Sequence, residues 1–103
     1  MLNNLFIGID IGSSSLKALA IDAASGRVAA LARQPLPYER LQGGGCEVSA
    51  GGIHAALDRV LGDVAQQLGP QVSAVRALAC TGHGAGLYAL DAKGELVGGR
   101  AVK

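Results

Sequence analysis

Short apolar runs separated by glycine- and serine-rich breaks open the chain. Three runs rich in Ile, Leu, Val and Ala predict β-strands at Leu5–Ile11, residues 16–22 and residues 27–33. The breaks between them, residues 12–15 and 23–26, have the small and polar composition of tight turns. Three strands joined by two short turns should form an antiparallel meander.

A helical repeat replaces the strand pattern from residue 53 to residue 68. Ser49 has the side chain of an N-cap. Gly69 followed by Pro70 should end the helix, because glycine suits the C-terminal cap and proline cannot continue it. The apolar positions that fall on one face are Ile53, Ala56, Leu57, Val60, Leu61, Val64 and Leu68.

The remaining segments complete a β-β-β-α-β order. Residues 75–80 predict a fourth strand, which should run parallel to a neighbour through a right-handed crossover. Residues 87–91 and 95–97 predict a small hairpin, whereas residues 35–45 predict a loop and residues 98–103 predict no regular element. The order is typical of an α/β domain with a mixed sheet. Such a sheet normally carries further βα units, so the domain is expected to be incomplete.

Composition and charge narrow the class of protein. A chain of 103 residues suits one domain. The net charge of +1, with Lys and Arg spread along the chain, gives no reason to expect nucleic acid or an anionic membrane as a partner. No signal peptide or membrane span is visible, so a cytoplasmic protein is expected, with Cys46 and Cys80 as reduced thiols.

An aspartate followed by a glycine-serine turn is the first candidate site. Asp10 can hold Mg²⁺ through water, because that ion keeps much of its hydration shell. Backbone N–H groups and hydroxyls in the turn can hold phosphate oxygens, and Gly12 permits close approach. The candidate phosphate contacts are Gly12, Ser13, Ser14, Ser15 and Lys17. The alternative is an ordinary hairpin with Asp10 in its turn.

The full segment GIDIGSSSLKALAID resembles the first phosphate motif of the actin-like ATPase superfamily, and in particular that of the FGGY carbohydrate kinases. Asp10, the serines, Lys17 and Asp22 all match the pattern of that family. The segment is not a P-loop, because it lacks G-x-x-x-x-G-K-[ST]. The resemblance implies a ribonuclease H-like fold, with ATP and Mg²⁺ as cofactors.

A second segment, VRALACTGHGAGLYALDAKGELV, is similar to the FGGY strand whose glycine-polar turn reaches the sugar. The resemblance implies that Gly82 and His83 contact sugar hydroxyls, a task that suits an imidazole because it can both donate and accept. Xylulose kinases of the familiar type carry Gln-Met-His-Gly here, and Ala85 replaces their histidine. The form T-G-H-G-x-G-L-Y is more similar to kinases of L-xylulose or related pentuloses and polyols. The alternative for His83 is a loop histidine bonded to a carbonyl.

Residues 1–103 thus resemble the N-terminal part of the first, sugar-binding domain of a two-domain sugar kinase. The implied reaction transfers the γ-phosphate of ATP to a hydroxyl of a small sugar or polyol. The proton-accepting aspartate of the family falls outside this chain, so no catalytic residue is assigned and the chain alone is expected to be inactive. A hexokinase-type kinase and a non-catalytic relative are the alternatives. An exposed apolar face is also expected, and self-association with it.

Overall fold

The described residues form one α-helix, two 3₁₀ segments and two β-sheets. The computed structural model describes residues 4–84 and 86–103. Residues 1–3 and Ala85 lie outside it, and so does the expected replacement of a histidine by Ala85. The strands are β1 (Leu5–Ile11), β2 (Ser15–Asp22), β3 (Val28–Pro35), β4 (Glu39–Arg40), β5 (Cys46–Ser49), β6 (Val75–Gly82) and β7 (Arg100–Val102). Helix α1 spans Ala50–Leu68, and 3₁₀ segments occupy Gly69–Ala74 and Val97–Gly99.

The larger sheet has the strand order β3-β2-β1-β6. Strands β1, β2 and β3 are antiparallel neighbours, and β6 pairs parallel to β1 after the crossover through α1. The predicted meander, crossover and mixed sheet are confirmed. In this register Asp10 lies opposite Lys17 on β2 and Thr81 on β6, so the predicted site lies at the carboxyl end of β1.

Helix α1 covers one face of this sheet. The Ser49 Oγ accepts a hydrogen bond from the Gly52 N–H at 2.9 Å, which confirms the predicted N-cap. Gly69 ends the helix with a φ of 58°, a conformation that glycine adopts without strain. The helix buries Ala56, Val60, Val64 and Leu68 against β2 and β3, where the facing positions are Ala18, Ala20, Ala30 and Ala32. These small side chains let the helix pack closely on the sheet.

The opposite face of the sheet is apolar and exposed in the described part of the chain. Phe6, Val28 and Leu31 all lie there with 40% or more of their surface accessible. The exposed apolar face expected from the sequence is therefore present. Within the described residues, no helix combines the length and the apolarity needed to cross a membrane. Cys46 and Cys80 are both free thiols.

The short elements of the chain differ from prediction. Strand β5, preceded by the two-residue β4, pairs with both β4 and β7 in a small antiparallel sheet. The hairpin predicted at residues 87–91 and 95–97 does not form a regular ladder. Only the isolated bridge Leu90–Leu96 links the two described segments, and Leu87 instead bridges to Val102. Residues 100–102, predicted to have no regular element, form β7. Strands of two to four residues show no alternation of their own and are defined by distant partners.

Candidate functional site

The turn between β1 and β2, residues 12–15, is hereafter the phosphate turn. Its Gly12 N–H donates to the Ser15 carbonyl at 2.9 Å, which closes the turn. A Cβ atom at Gly12 would lie 2.9 Å from the same oxygen, so only glycine fits without a backbone shift. Ser13 and Ser14 are exposed, whereas Ser15 is only 3% exposed. The accessible serines of the turn are therefore the first two.

Asp10 lies half-buried on the face of the sheet that α1 leaves open. With Lys17 and Thr81 it lines a shallow depression of about 470 Å³, whose other lining residues include Gly8, Leu19 and Leu31. The carboxylate therefore lies at a surface that solvent reaches, and not in a closed apolar interior. A group in that position is available to a hydrated cation.

The His83 loop consists of Gly82, the last residue of β6, and the residues described after it, 83–84 and 86. It lies directly beside the phosphate turn. Gly82 is paired with Ile11, and the His83 N–H donates to the Ile11 carbonyl at 3.2 Å. Since Gly12 follows Ile11, one strand end anchors both predicted motifs. The sequence had placed these motifs 70 residues apart without any direct sign of contact.

The His83 ring packs within an aromatic cluster of Tyr38, His83 and Tyr88. Its Nε2 lies 3.4 Å from the Tyr38 hydroxyl, and its ring meets that of Tyr88 edge-on at a centroid distance of 6.3 Å. A Cβ atom at Gly86 would lie 2.5 Å from the ring, so glycine is needed for this packing. The Tyr88 hydroxyl is buried and has no hydrogen bond among the described residues.

Two contacts at the phosphate turn come from residues that the sequence analysis did not single out. The Lys103 Nζ donates to the Ser13 carbonyl at 2.7 Å and lies 4.4 Å from the centroid of the Tyr38 ring. The geometry is that of a cation–π contact. Lys17, the lysine that the sequence proposed, instead lies on the open sheet face opposite Asp10. Neither Tyr38 nor Lys103 stands in a recognisable motif, so no local signal could have found them.

Two groups have perturbed pKa values, Tyr38 at the site and Asp22 at the opposite end of β2. Burial, with a further contribution from the adjacent Tyr88 hydroxyl, raises the pKa of Tyr38 to about 12. The Ser25 hydroxyl holds the pKa of Asp22 below its usual range. Asp22 accepts from both the backbone N–H and the hydroxyl of Ser25, so it organises the turn between β2 and β3. Its match to the kinase pattern thus has a structural explanation.

The residues at the turn fit a magnesium–nucleotide complex better than a bare metal ion. In residues 4–84 and 86–103, no group of three or more His, Cys, Asp or Glu side chains comes together as a metal cage. Mg²⁺ is usually held by one or two carboxylates together with waters and substrate phosphates. Asp10 beside the amides of the phosphate turn matches that donor set.

Comparison with known proteins decides the family. Residues 5–102 match the N-terminal domain of the FGGY family of carbohydrate kinases. The chain belongs to this family. It is 36% identical over 97 residues to a xylulose kinase from Streptomyces coelicolor, a match that covers 90% of this chain and 18% of that relative. The hexokinase-type alternative is thereby set aside in favour of the FGGY family.

Three solved kinase structures share the fold. A protein described as a xyloylose kinase, from Brucella ovis, superposes with a TM-score of 0.81 at 25% identity, covering 90% of this chain and 19% of its own. A xylulose kinase from Rhodospirillum rubrum gives 0.79 at 22% identity, with 97% and 20% covered. A gluconate kinase from Lactobacillus acidophilus gives 0.72 at 21% identity, with 91% and 19% covered. The ribonuclease H-like, actin-like ATPase fold is confirmed. The chain spans about a fifth or less of the length of each of these relatives.

Proposed function

We propose that this FGGY chain supplies one wall of the active-site cleft of an ATP-dependent kinase that phosphorylates a small sugar or polyol. The observation that carries the proposal is the hydrogen bond from the His83 N–H to the Ile11 carbonyl. This bond keeps a turn suited to phosphate next to a loop suited to sugar hydroxyls. Phosphoryl transfer depends on that proximity, because catalysis is almost entirely positioning and charge stabilisation.

Each residue of the wall has a role in the proposal. The amides and hydroxyls of Ser13 and Ser14 hold phosphate oxygens, since the Gly12 N–H already donates to the Ser15 carbonyl, and Asp10 holds Mg²⁺ through water. Lys17 adds positive charge from the sheet face, and the Lys103 ammonium adds charge at the turn itself. Mg²⁺, when bound with ATP, neutralises charge that develops on the transferred phosphoryl group. Gly82 and His83 meet hydroxyls of the acceptor.

The acceptor class in the proposal is a pentulose or a related polyol. Two of the kinases described above are named for xylulose, and the sequence of the His83 loop favours L-xylulose or similar acceptors. The gluconate kinase has the same fold, so the fold alone does not determine the acceptor. The loop residues and their partners therefore carry the specificity. We place the reaction in the cytoplasm, in keeping with the use of ATP by this family.

A chimera tests the proposal directly. Residues 5–102 would replace the matching segment of the S. coelicolor xylulose kinase, and a panel of pentuloses and polyols would be assayed for ATP-dependent phosphorylation. Activity is expected in the chimera, and Asp10→Ala within it should lower kcat by at least about 100-fold, the scale of losing one charge-stabilising group. A chimera that melts cooperatively yet phosphorylates no acceptor would contradict the proposal.

The 103-residue chain by itself serves as the negative counterpart. It should produce no ADP in the presence of acceptor, because the proposed reaction needs groups from both walls of the cleft. Sustained ADP production by the purified chain would show that its own residues include a complete catalytic set.

A further inference from the structure

Tyr38 lies between the phosphate turn and the His83 loop, although it belongs to neither. Its hydroxyl is 3.4 Å from His83 Nε2, and the Lys103 ammonium lies over its ring at 4.4 Å from the centroid. Lys103 in turn donates to the carbonyl of Ser13. One half-buried side chain therefore contacts His83 directly and the phosphate turn through Lys103.

The chemistry of the two groups favours one direction for the hydrogen bond between Tyr38 and His83, a contact of 3.4 Å in which either group can donate. Neutral imidazole has one accepting nitrogen, which is a better acceptor than a phenol oxygen whose lone pair is delocalised into its ring. The raised pKa of Tyr38, about 12, keeps its phenol protonated throughout the neutral range. A donating Tyr38 makes Nε2 the acceptor and places the single ring proton on Nδ1.

Packing fixes the orientation of the same ring. Gly86 lies against its Cε1 and Nε2 atoms so closely that a Cβ atom there would be 2.5 Å from each. The Tyr88 ring meets it edge-on, with an interplanar angle of 65°. The Nε2 side of the imidazole is thus occupied by protein.

We infer that Tyr38 is a positioning residue that sets the tautomer and orientation of His83, so that Nδ1–H donates to a hydroxyl oxygen of the acceptor. The inference rests on the proposed function, since it takes His83 as the contact to the acceptor. It adds a specificity-determining residue from outside the two family motifs. A polyhydroxylated acceptor suits the arrangement because each of its hydroxyl oxygens can accept from the fixed N–H.

The tautomer of His83 can be measured on the chain by long-range ¹H–¹⁵N correlation of the imidazole rings. The measurement is made about two pH units above the usual histidine pKa of ~6.5, where a free imidazole is neutral. We expect Nε2 of His83 to be unprotonated in the wild type and to regain its proton in Tyr38→Phe. His54, exposed on α1, provides an internal reference whose signals should not change. Tyr88→Phe removes the other hydroxyl of the cluster, which has no hydrogen bond to His83 among the described residues, and should leave the tautomer as it is.

A wild-type His83 that carries its proton on Nε2, or a tautomer that Tyr38→Phe does not alter, would overturn the inference. A parallel titration with D-xylulose and xylitol separates this result from the proposed function. Sugar binding should shift the His83 ring signals. The Kd for the sugar should rise about fivefold in Tyr38→Phe, the scale of one neutral hydrogen bond. The tautomer could switch in Tyr38→Phe as expected while neither sugar shifts the His83 signals. That result would contradict the proposed function, and with it the role of Tyr38 towards an acceptor.

Discussion

The side-chain amide of Gln67 is hydrogen-bonded in both directions to the backbone of Leu31. The Leu31 N–H donates to Oε1 at 3.0 Å, and Nε2 donates to the Leu31 carbonyl at 2.8 Å. Strand β3 is an edge of the larger sheet, so these backbone groups would otherwise be open to pairing with another chain. One glutamine on α1 thus supplies the donor and acceptor that a further strand would have offered.

Replacement of Gln67 by glutamate should destabilise the chain by about 1 kcal/mol, because a carboxylate cannot donate to the Leu31 carbonyl and instead places an oxygen against it. Urea denaturation monitored by circular dichroism measures the change. Gln66→Glu introduces the same charge at the neighbouring exposed position of α1 and serves as the matched control. Equal stability of the two variants would show that the paired hydrogen bonds contribute nothing measurable.

The strands of the larger sheet could be predicted because they are short apolar runs bounded by small, polar turns. Helix α1 shows its own period through Val60 and Val64. The two predicted motifs also lie at strand ends, where the order of elements leads one to expect them. Local pattern was sufficient for these features.

The parts that escaped prediction depend on contacts between distant residues. Tyr38 and His83 are 45 positions apart, and Lys103 and Ser13 are 90 positions apart. No spacing rule connects such pairs, since they meet only after β1, β6 and β7 are in place. The short strand β7 is similarly defined by its pairing with β5 and not by its own three residues.

Gly12→Ala should weaken phosphate binding at the phosphate turn, because its Cβ atom would press on the Ser15 carbonyl at 2.9 Å and force the backbone to shift. Gly62→Ala on α1 is the control, because a Cβ atom at that exposed position meets nothing within 4 Å. In the S. coelicolor chimera, KM for ATP should rise about tenfold or more for the first variant and little for the second, in line with the cost of misplaced donors. A similar KM for both would argue against close backbone approach at Gly12.

Gly86→Ala should displace the His83 ring, since the new methyl group would lie 2.5 Å from Cε1 and Nε2. Gly84→Ala, two positions earlier in the same loop, meets nothing within 4 Å. In the chimera we expect KM for the acceptor to rise in Gly86→Ala, while KM for ATP changes much less. If Gly84→Ala raised KM for the acceptor as strongly, general loop rigidity would explain the effect better than ring displacement.

Stability should fall as pH rises from about 10 to about 12, because unfolded tyrosine ionises near pH 10 whereas Tyr38 in the folded chain holds its proton to about 12. Over that window the unfolded chain binds fewer protons than the folded one. The stability associated with the raised pKa is complete below pH 10 and is lost as pH passes through 12. Urea midpoints measured at alkaline pH should decline less steeply in Tyr38→Phe. Identical slopes would show that the ionisation of Tyr38 is not coupled to folding.

The account depends most on residues 10–15 as a site for nucleotide phosphate with magnesium. Titration of the ¹⁵N-labelled chain with Mg·ATP should shift the amide signals of Gly12, Ser13 and Ser14, whereas adenosine should not. Asp10→Asn should remove the part of the shift that depends on Mg²⁺, and Asp58→Asn, an exposed carboxylate on α1, should retain it. Shifts that fall elsewhere in the chain, or that are the same in Asp10→Asn and the wild type, would contradict the account.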